Sequence, residues 1–188
     1  MTVLVGELEV ALEVGQTLDH LGVPWLVGGS VASSILGEPR ATADVDLVAD
    51  LRGRHASPLF QALVETYYID EDATKEAIRR RGAFNVIQLA SMTKVDIYCS
   101  ADEPLAREEL ARRQFVEVDG KRIPCASAED IILQKLLWFV EGGGVSDRQW
   151  RDIRGVVRVQ GDALDRAYLE RHAASHGLMA LLQRALHE

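Results

Sequence analysis

The first third of the chain alternates between the spacing of helices and the spacing of strands. Leucines between positions 3 and 21 recur at helical spacing with acidic residues between them, and a glycine and a proline at 22 and 24 end this predicted helix. A short strand is predicted at 25–27, followed by a glycine pair. Ser30 is expected to cap a short helix that runs to position 36.

The remaining pattern adds strands first and helices later. Strands are predicted at 44–49, 83–89, 94–99, 114–118 and 121–125. Helices are predicted at 58–66, 73–80, 102–113, 128–140, 147–159 and 164–172, with a helical tail to 187. The fold class is therefore α/β (α+β), with a mixed sheet and flanking helices over residues 1–125 and a helical C-terminal part over 126–188.

Composition and charge exclude several classes of protein. The 188 residues suit a single domain, and 47% hydrophobic with 27% charged residues is typical of a soluble globular chain. A net charge of −8 argues against a protein that coats duplex DNA or an anionic membrane, although it leaves room for a local basic patch. Two cysteines are too few for a disulfide scaffold, and no apolar run is long enough to cross a bilayer. We therefore expect a cytoplasmic protein that does not engage membranes.

Three short segments carry the candidate chemistry. Gly28-Gly29-Ser30 lies between a predicted strand and a helix, Asp44-Val45-Asp46 opens the next strand, and Asp96 lies in a later apolar strand. Each segment alone has an ordinary interpretation, namely a turn, a solvated strand face and an ion pair of Asp96 with Lys94 or an arginine. Their combination, in this order and spacing, favours a functional site.

The acidic segments fit a site for divalent cations. Residues two apart in a strand point to the same face, so Asp44 and Asp46 project together. Two neighbouring carboxylates repel each other, and a divalent cation reverses that penalty. If the strand of Asp96 neighbours the first, three carboxylates meet, which suits two Mg²⁺ ions acting on a phosphate.

The glycine turn fits a phosphate. Free N–H groups at the N-terminus of a helix attract anions, glycines allow close approach of the backbone, and the Ser30 hydroxyl adds a donor. The segment matches neither a Walker P-loop nor a dinucleotide-binding fingerprint, because the residues after Ser30 supply the later positions of neither motif.

Together the three segments resemble the pattern of the DNA polymerase β superfamily of nucleotidyltransferases. The small bacterial group of AbiEii-type abortive-infection toxins is the most similar part of that superfamily. Its Arg-x-Thr-x-Asp-x-Asp pattern is matched at 40–46, and 84–87 leading into 94–96 is also similar. The predicted helix that carries Lys135, followed by Arg151-Asp152-Ile153, extends the resemblance to nearly the whole chain.

The resemblance implies a nucleotidyltransferase fold with four or five main strands, and transfer of NMP from an NTP to an acceptor hydroxyl with release of pyrophosphate. Asp44, Asp46 and Asp96 would be the catalytic residues and the ligands of Mg²⁺, in two ions, and Asp96 would help to deprotonate the acceptor. Gly28-Gly29-Ser30 would bind the β- and γ-phosphates.

Two cations are further candidates for nucleotide binding. Lys135 borders an apolar helix stripe and could reach the triphosphate, or could lie along apolar surface with its amine in water. Arg40 could contact phosphate or acceptor, or could be an ordinary surface arginine.

The acceptor and the biological role stay open at this stage. The NTP could be ATP or another, and the acceptor RNA, a protein or a small molecule such as an aminoglycoside. The AbiEii-type resemblance implies a role in a toxin–antitoxin system. The alternative is a non-catalytic module that binds nucleotide or a partner protein, as an antitoxin or regulatory subunit would.

Overall fold

The computed structural model describes residues 5–42, 44–118 and 120–188, and for residue 5 the backbone alone. Helices in these ranges are α1 Val5–His20, α2 Gly29–Leu36, α3 Ala56–Leu63, α4 Glu71–Arg80, α5 Pro104–Arg112, α6 Ala128–Glu141, α7 Asp147–Gln160, α8 Arg166–Ser175 and α9 Met179–His187. Strands are β1 Trp25–Val27, β2 Asp44–Ala49, β3 Tyr67–Tyr68, β4 Ala83–Gln88, β5 Lys94–Cys99, β6 Gln114–Val118 and β7 Lys121–Cys125.

The strands of the described residues form one mixed sheet of seven, in the order β3-β4-β5-β2-β1-β7-β6. The β2–β5 and β1–β7 pairs are parallel, and the other pairs are antiparallel. The expected fold class is confirmed, although the sheet is wider than the four or five main strands expected. The β6–β7 hairpin extends one edge, and two-residue β3, too short to leave a periodic signal, extends the other.

Alternation along the two central strands separates an apolar face from a polar one. Val45, Leu47, Val95 and Ile97 are fully buried, as expected for the core face of adjacent strands. The intervening positions of β2 and β5 carry the acidic residues. This alternation places the candidate carboxylates together on the opposite face.

Helix α2 departs from the sequence prediction at its first turn. The prediction that Ser30 caps this helix is wrong, because the helix begins at Gly29 and Gly28 is the N-cap residue. Ser30 therefore lies inside the first turn, and its hydroxyl is available to other partners. By contrast Ser127 is the N-cap residue of α6, and its Oγ accepts from the backbone N–H of Asp130.

The C-terminal helices α6 and α7 pack beside α2. Helix α6 packs against α7, and both contact α2. The glycines at 142–144 lie in the turn between α6 and α7. No helix in the described ranges is both long and apolar enough to cross a membrane. This packing brings side chains of α6 and α7 to the N-terminal end of α2.

Candidate active site

The carboxylates of three aspartates lie on the polar face of the central strands. Asp46 of β2 and Asp96 of β5 are direct partners in the parallel register, and Asp44 is paired with Lys94 in the same ladder. Because the register aligns these residues and the side-chain period of a strand is two, all three carboxylates project from one face. The β2–β5 pairing therefore aligns the three acids on one sheet face, although within the described residues their carboxylates do not converge on a single point.

Asp46 is held against the glycine turn. Its Oδ2 accepts from the backbone N–H of Ser30 at 3.2 Å, and its carbonyl oxygen accepts from the N–H of Gly28 at 2.9 Å. Gly29 has a φ of +55°, and a Cβ there would lie 1.8 Å from Asp46 Oδ2. The position therefore requires glycine both for its backbone conformation and for the close approach of the carboxylate.

The charge state of Asp46 reflects its surroundings. Burial raises its pKa, the hydrogen bond from Ser30 opposes this, and the neighbouring charges of Asp96 and Asp44 raise it further. A carboxylate whose ionisation is disfavoured by its neighbours gains most from a bound cation.

Lys94 already places a cation between two of the acids. Its Nζ lies 2.7 Å from Asp96 Oδ2 and 3.8 Å from Asp44 Oδ1. The hydrogen bond to Asp96 raises the pKa of Lys94, so the side chain stays charged. The interpretation of Asp96 as an ion-pair partner of Lys94 is thus correct, and it coexists with the alignment of the three acids.

Arg40 links the first turn of α2 to α7. Its Nε and Nη2 donate to the two carboxylate oxygens of Asp152, each at 2.7 Å, and Nη2 also donates to Ser30 Oγ at 2.7 Å. The hydrogen bonds to Asp152 raise the pKa of Arg40. Arg148 of α7 also approaches the Ser30 hydroxyl, at 3.4 Å. Two guanidinium groups therefore converge on the turn predicted to bind phosphate.

Lys135 lies behind this pair and not at the surface of the cleft. Its side chain is 1% exposed, and its Nζ donates to Asp152 Oδ2 at 2.8 Å and to Gln149 Oε1 at 3.0 Å. Burial lowers the pKa of Lys135, and the bond to Asp152 opposes that shift. Burial also acts to raise the pKa of Asp152, but the hydrogen bonds from Arg40 and Lys135 outweigh it and hold that pKa below its usual value.

The carboxylates of Asp44, Asp46 and Asp96 are ligands of the kind that a divalent cation prefers. Oxygen ligands from carboxylates are those that Mg²⁺ prefers, and the Lys94 ammonium shows that the space between Asp44 and Asp96 accepts positive charge. Within the described residues, no three acidic, imidazole or thiol side chains already converge on one point. The carboxylates of Asp44 and Asp96 face Lys94, and that of Asp46 faces Ser30, so a metal ion would replace these contacts.

Some residues of the site carry little signal in the sequence. Gln149 and Arg148 lie on α7, more than a hundred residues from the glycine turn, and nothing in their local pattern marks them. Lys94 precedes Asp96 by two residues on the same strand face, which is a spacing that could have indicated its position between the acids.

No family model matches this chain, and no curated protein matches it significantly. Solved structures do share its architecture. The solution structure of the antibiotic-resistance factor ANT(2'')-Ia is 18% identical, with a TM-score of 0.57 and 97% of both chains covered. An antigenic nucleotidyltransferase-like protein from Paracoccidioides brasiliensis is 19% identical, with a TM-score of 0.60, covering 97% of this chain and 93% of its own.

The lincosamide antibiotic adenylyltransferase LnuA, in its lincomycin-bound crystal structure, is 16% identical with a TM-score of 0.56, covering 84% of this chain and 98% of its own. The chain has the nucleotidyltransferase fold. This confirms the fold expected from the resemblance, while the more specific likeness to AbiEii-type toxins stays a prediction. In the nucleotidyltransferase fold of this chain, Asp44, Asp46 and Asp96 share one sheet face beside the N-terminal turn of α2.

Proposed function

We propose that this chain is a nucleotidyltransferase, which transfers NMP from an NTP to an acceptor hydroxyl and releases pyrophosphate. The observation that carries this proposal is the register pairing of Asp46 with Asp96, one hydrogen bond from the turn at Gly28-Gly29-Ser30. A carboxylate face next to a helix N-terminus provides for cations and for phosphates within one site. Two similar structures, the adenylyltransferase LnuA and a complex of ANT(2'')-Ia with adenylyl-2''-tobramycin, support the same reaction class here.

The proposed roles follow from the positions of the side chains. At the turn Gly28-Gly29-Ser30, the Ser30 hydroxyl and the guanidinium of Arg40 would bind the β- and γ-phosphates, because they are in contact with each other. The N–H of Ser30 would join them once the carboxylate of Asp46 turns to the metal ion. Asp44, Asp46 and Asp96 would hold Mg²⁺, in two ions, which supply charge neutralisation and polarisation of the phosphate when bound. Lys135 would act on the triphosphate through Asp152 and Arg40, since its ammonium contacts Asp152.

The reaction balances without a further reactant. The acceptor oxygen forms a bond to the α-phosphorus, and the bond between that phosphorus and the oxygen bridging to the β-phosphate breaks. Pyrophosphate leaves with the bonding electrons, and the acceptor proton passes to the carboxylate of Asp96. Such chemistry depends mainly on positioning and on neutralising charge.

The helical part over 126–188 is proposed to close the cleft. Supporting this, Asp152 of α7 forms a bidentate ion pair with Arg40, 112 residues earlier in the chain. The nucleotide would then lie between the sheet face and the α6–α7 pair. The boundary between the two parts is proposed at 125/126, where the last strand ends.

The test is a transfer assay with the purified chain. Each α-phosphate-labelled NTP, ATP included, is incubated with Mg²⁺ and with separate RNA, protein and metabolite fractions. Wild type should label one fraction, whereas Asp46→Asn and a sample with excess EDTA should not. Asp72→Asn, an exposed acid in the first turn of α4, is the matched control and should behave as wild type. If wild type binds NTP but labels nothing, the non-catalytic nucleotide-binding module replaces the catalytic proposal. If it binds no NTP, the partner-binding module replaces it.

A role in a toxin–antitoxin system is proposed on the resemblance alone. Induced expression in a bacterial host should arrest growth with wild type and not with Asp46→Asn. Unimpaired growth with a wild-type chain that is active in the transfer assay would remove this role and leave the enzymatic proposal intact.

A further inference from the structure

A second acidic cavity lies between α5, α6 and the end of α8, apart from the catalytic face. It has a volume of about 290 Å³ and is lined by Glu103 and Glu109 from α5 and its N-cap, and by Asp130 and Glu141 from α6. Its described lining residues include His176 but no lysine or arginine. None of the residues assigned to the proposed transfer reaction is among them.

Glu109 is the residue that distinguishes this cavity from an ordinary acidic surface. The residue is only 8% exposed, and its buried Oε1 has no hydrogen-bond partner among the described residues. Burial, reinforced by the charge of Asp130, raises the pKa of Glu109 to about 8. A buried polar atom without a partner typically destabilises the folded protein by about 1–3 kcal/mol. A ligand that forms the missing hydrogen bond with Glu109 would remove this destabilisation.

The neighbouring groups are already committed elsewhere. Asp130 accepts hydrogen bonds from Ser127 Oγ and from the Tyr168 hydroxyl, both at 2.6 Å. Arg112, one turn after Glu109 on α5, donates through Nη2 to Glu129 at 3.1 Å, while its buried Nε has no partner among the described residues and makes no hydrogen bond to Glu109. Glu109 is therefore the buried carboxyl of this cavity wall that depends on a partner from the cavity.

The shape of the cavity favours an organic cation over a metal ion. Leu105, Ala106 and Leu137 form apolar walls between the acidic groups. Asp130 and Glu141 are eleven residues apart on α6, which spreads the charges over about 16 Å of helix axis. A compact ion needs several oxygens at one point, whereas separated charges with hydrocarbon between them match separated ammonium groups on a hydrocarbon chain.

We propose that this cavity binds an organic cation carrying two or more ammonium groups on a hydrocarbon chain, with Glu109 as its central contact. The bound ammonium supplies the hydrogen bonds and the charge that Glu109 lacks. The methylene chain covers Leu105 and Leu137, and the outer ammonium groups reach Glu103 and Glu141. This site does not depend on the proposed transfer reaction, because binding needs neither nucleotide nor catalytic metal.

The test is isothermal titration calorimetry of the full chain without nucleotide. The probes are putrescine and spermidine, with butanediol as the uncharged match of putrescine. Both amines should bind, spermidine more tightly, and butanediol should not. At about pH 8.5, above the pKa of about 8 of Glu109, Glu109→Gln should weaken both amines at least about tenfold, because the hydrogen bond to a charged carboxylate is lost. Glu141→Gln, at an exposed position, should weaken spermidine more than putrescine.

Two control variants distinguish binding in this cavity from binding to the acidic surface or to the catalytic cleft. Glu117→Gln, an exposed acid on β6, should bind the amines as wild type does, and so should Asp46→Asn. The proposal is overturned if Glu109→Gln binds the amines unchanged, if Mg²⁺ displaces them at equal concentration, or if Asp46→Asn abolishes binding. The last result would place the amine in the catalytic cleft. Thermal unfolding of each variant confirms that it is folded.

Discussion

The guanidinium of Arg40 binds the carboxylate of Asp152 through two hydrogen bonds of 2.7 Å across 112 residues of sequence. On its other side Asp152 accepts from the buried ammonium of Lys135 at 2.8 Å. One carboxylate therefore pairs with two cations and directs one of them at Ser30. A bidentate arginine–carboxylate pair fixes direction as well as charge.

Replacing Asp152 by Asn should damage both stability and nucleotide binding. The change leaves the buried Lys135 without its counter-charge, and breaking such a pair typically costs about 3–5 kcal/mol of unfolding free energy. Urea denaturation of wild type and Asp152→Asn at pH 7 measures this loss. A change below about 1 kcal/mol, the range of exposed ion pairs, would contradict a buried role for Asp152.

Replacing Arg40 by Lys separates the binding role from the structural one. Lysine keeps the charge but cannot form the planar two-bond pair, so the KM for NTP should rise about tenfold while stability falls little. Steady-state kinetics measure the first effect and urea denaturation the second. An unchanged KM would show that Arg40 only joins α2 to α7. The control is Arg158→Lys, a change at an exposed arginine of α7 that should leave both the KM and the stability unchanged.

Gly29→Ala should abolish transfer while leaving the chain folded. An alanine Cβ would lie 1.8 Å from Asp46 Oδ2, and a φ of +55° adds about 1–2 kcal/mol of backbone strain for a non-glycine residue. Gly22→Ala is the matched control, because Gly22 has a φ of +67° and nothing within 4 Å of the added carbon. Gly29→Ala should lose more stability than Gly22→Ala, because Asp46 must shift as well, and only Gly29→Ala should lose activity. Equal activity in the two would show that the contact with Asp46 is dispensable.

The polar face of the sheet could be predicted because it depends on local rules. Alternation fixes which side of β2 carries Asp44 and Asp46, and an apolar strand around Asp96 makes a neighbouring position reasonable. The parallel register that pairs Asp46 with Asp96 is a long-range property. The prediction that these two aspartates lie together rests on the family resemblance and on the assumption that their strands are adjacent.

The environment of Lys135 could not be predicted from its own helix. A lysine next to an apolar stripe can place its ammonium in water or turn it into the protein. The inward orientation depends on Asp152, which lies 17 residues later in the chain, on α7. The prediction that Ser30 caps α2 was wrong because glycine is also accepted at the N-cap position. Gly28 occupies that position, and the Ser30 hydroxyl instead accepts a hydrogen bond from Arg40.

Replacing Lys94 by Met should tighten Mg²⁺ binding. A metal ion that enters between Asp44 and Asp96 must displace the Lys94 ammonium from its contact of 2.7 Å with Asp96. The pair is partly exposed, so its removal should gain about 0.2–1 kcal/mol, up to about fivefold in affinity. Calorimetric titration of Mg²⁺ measures this, with Lys121→Met as the control. Weaker Mg²⁺ binding in Lys94→Met would show that the lysine supports the metal site.

The buried carboxyl of Glu109 should make the stability of the protein depend on pH. Its pKa is about 8 in the folded chain, against an ordinary value of 4.5, so the folded state holds the proton more tightly than the unfolded state does. The contribution of Glu109 to the free energy of unfolding is therefore largest below about pH 4.5. It falls as the pH rises towards 8, by at most about 1.4 kcal/mol per pH unit. Burial raises the pKa of Asp130 as well, which adds a decrease of the same sign.

Glu109→Gln should remove the part of this decrease that Glu109 causes. The glutamine keeps the shape and cannot ionise, so its unfolding free energy should exceed that of wild type increasingly from pH 5.5 to pH 8, with little difference at about pH 4.5. Urea denaturation in a pH series measures both curves, and Glu117→Gln should follow the wild-type curve. Parallel curves for Glu109→Gln and wild type would mean that Glu109 is ionised in the folded protein, with a cation or solvent already reaching it.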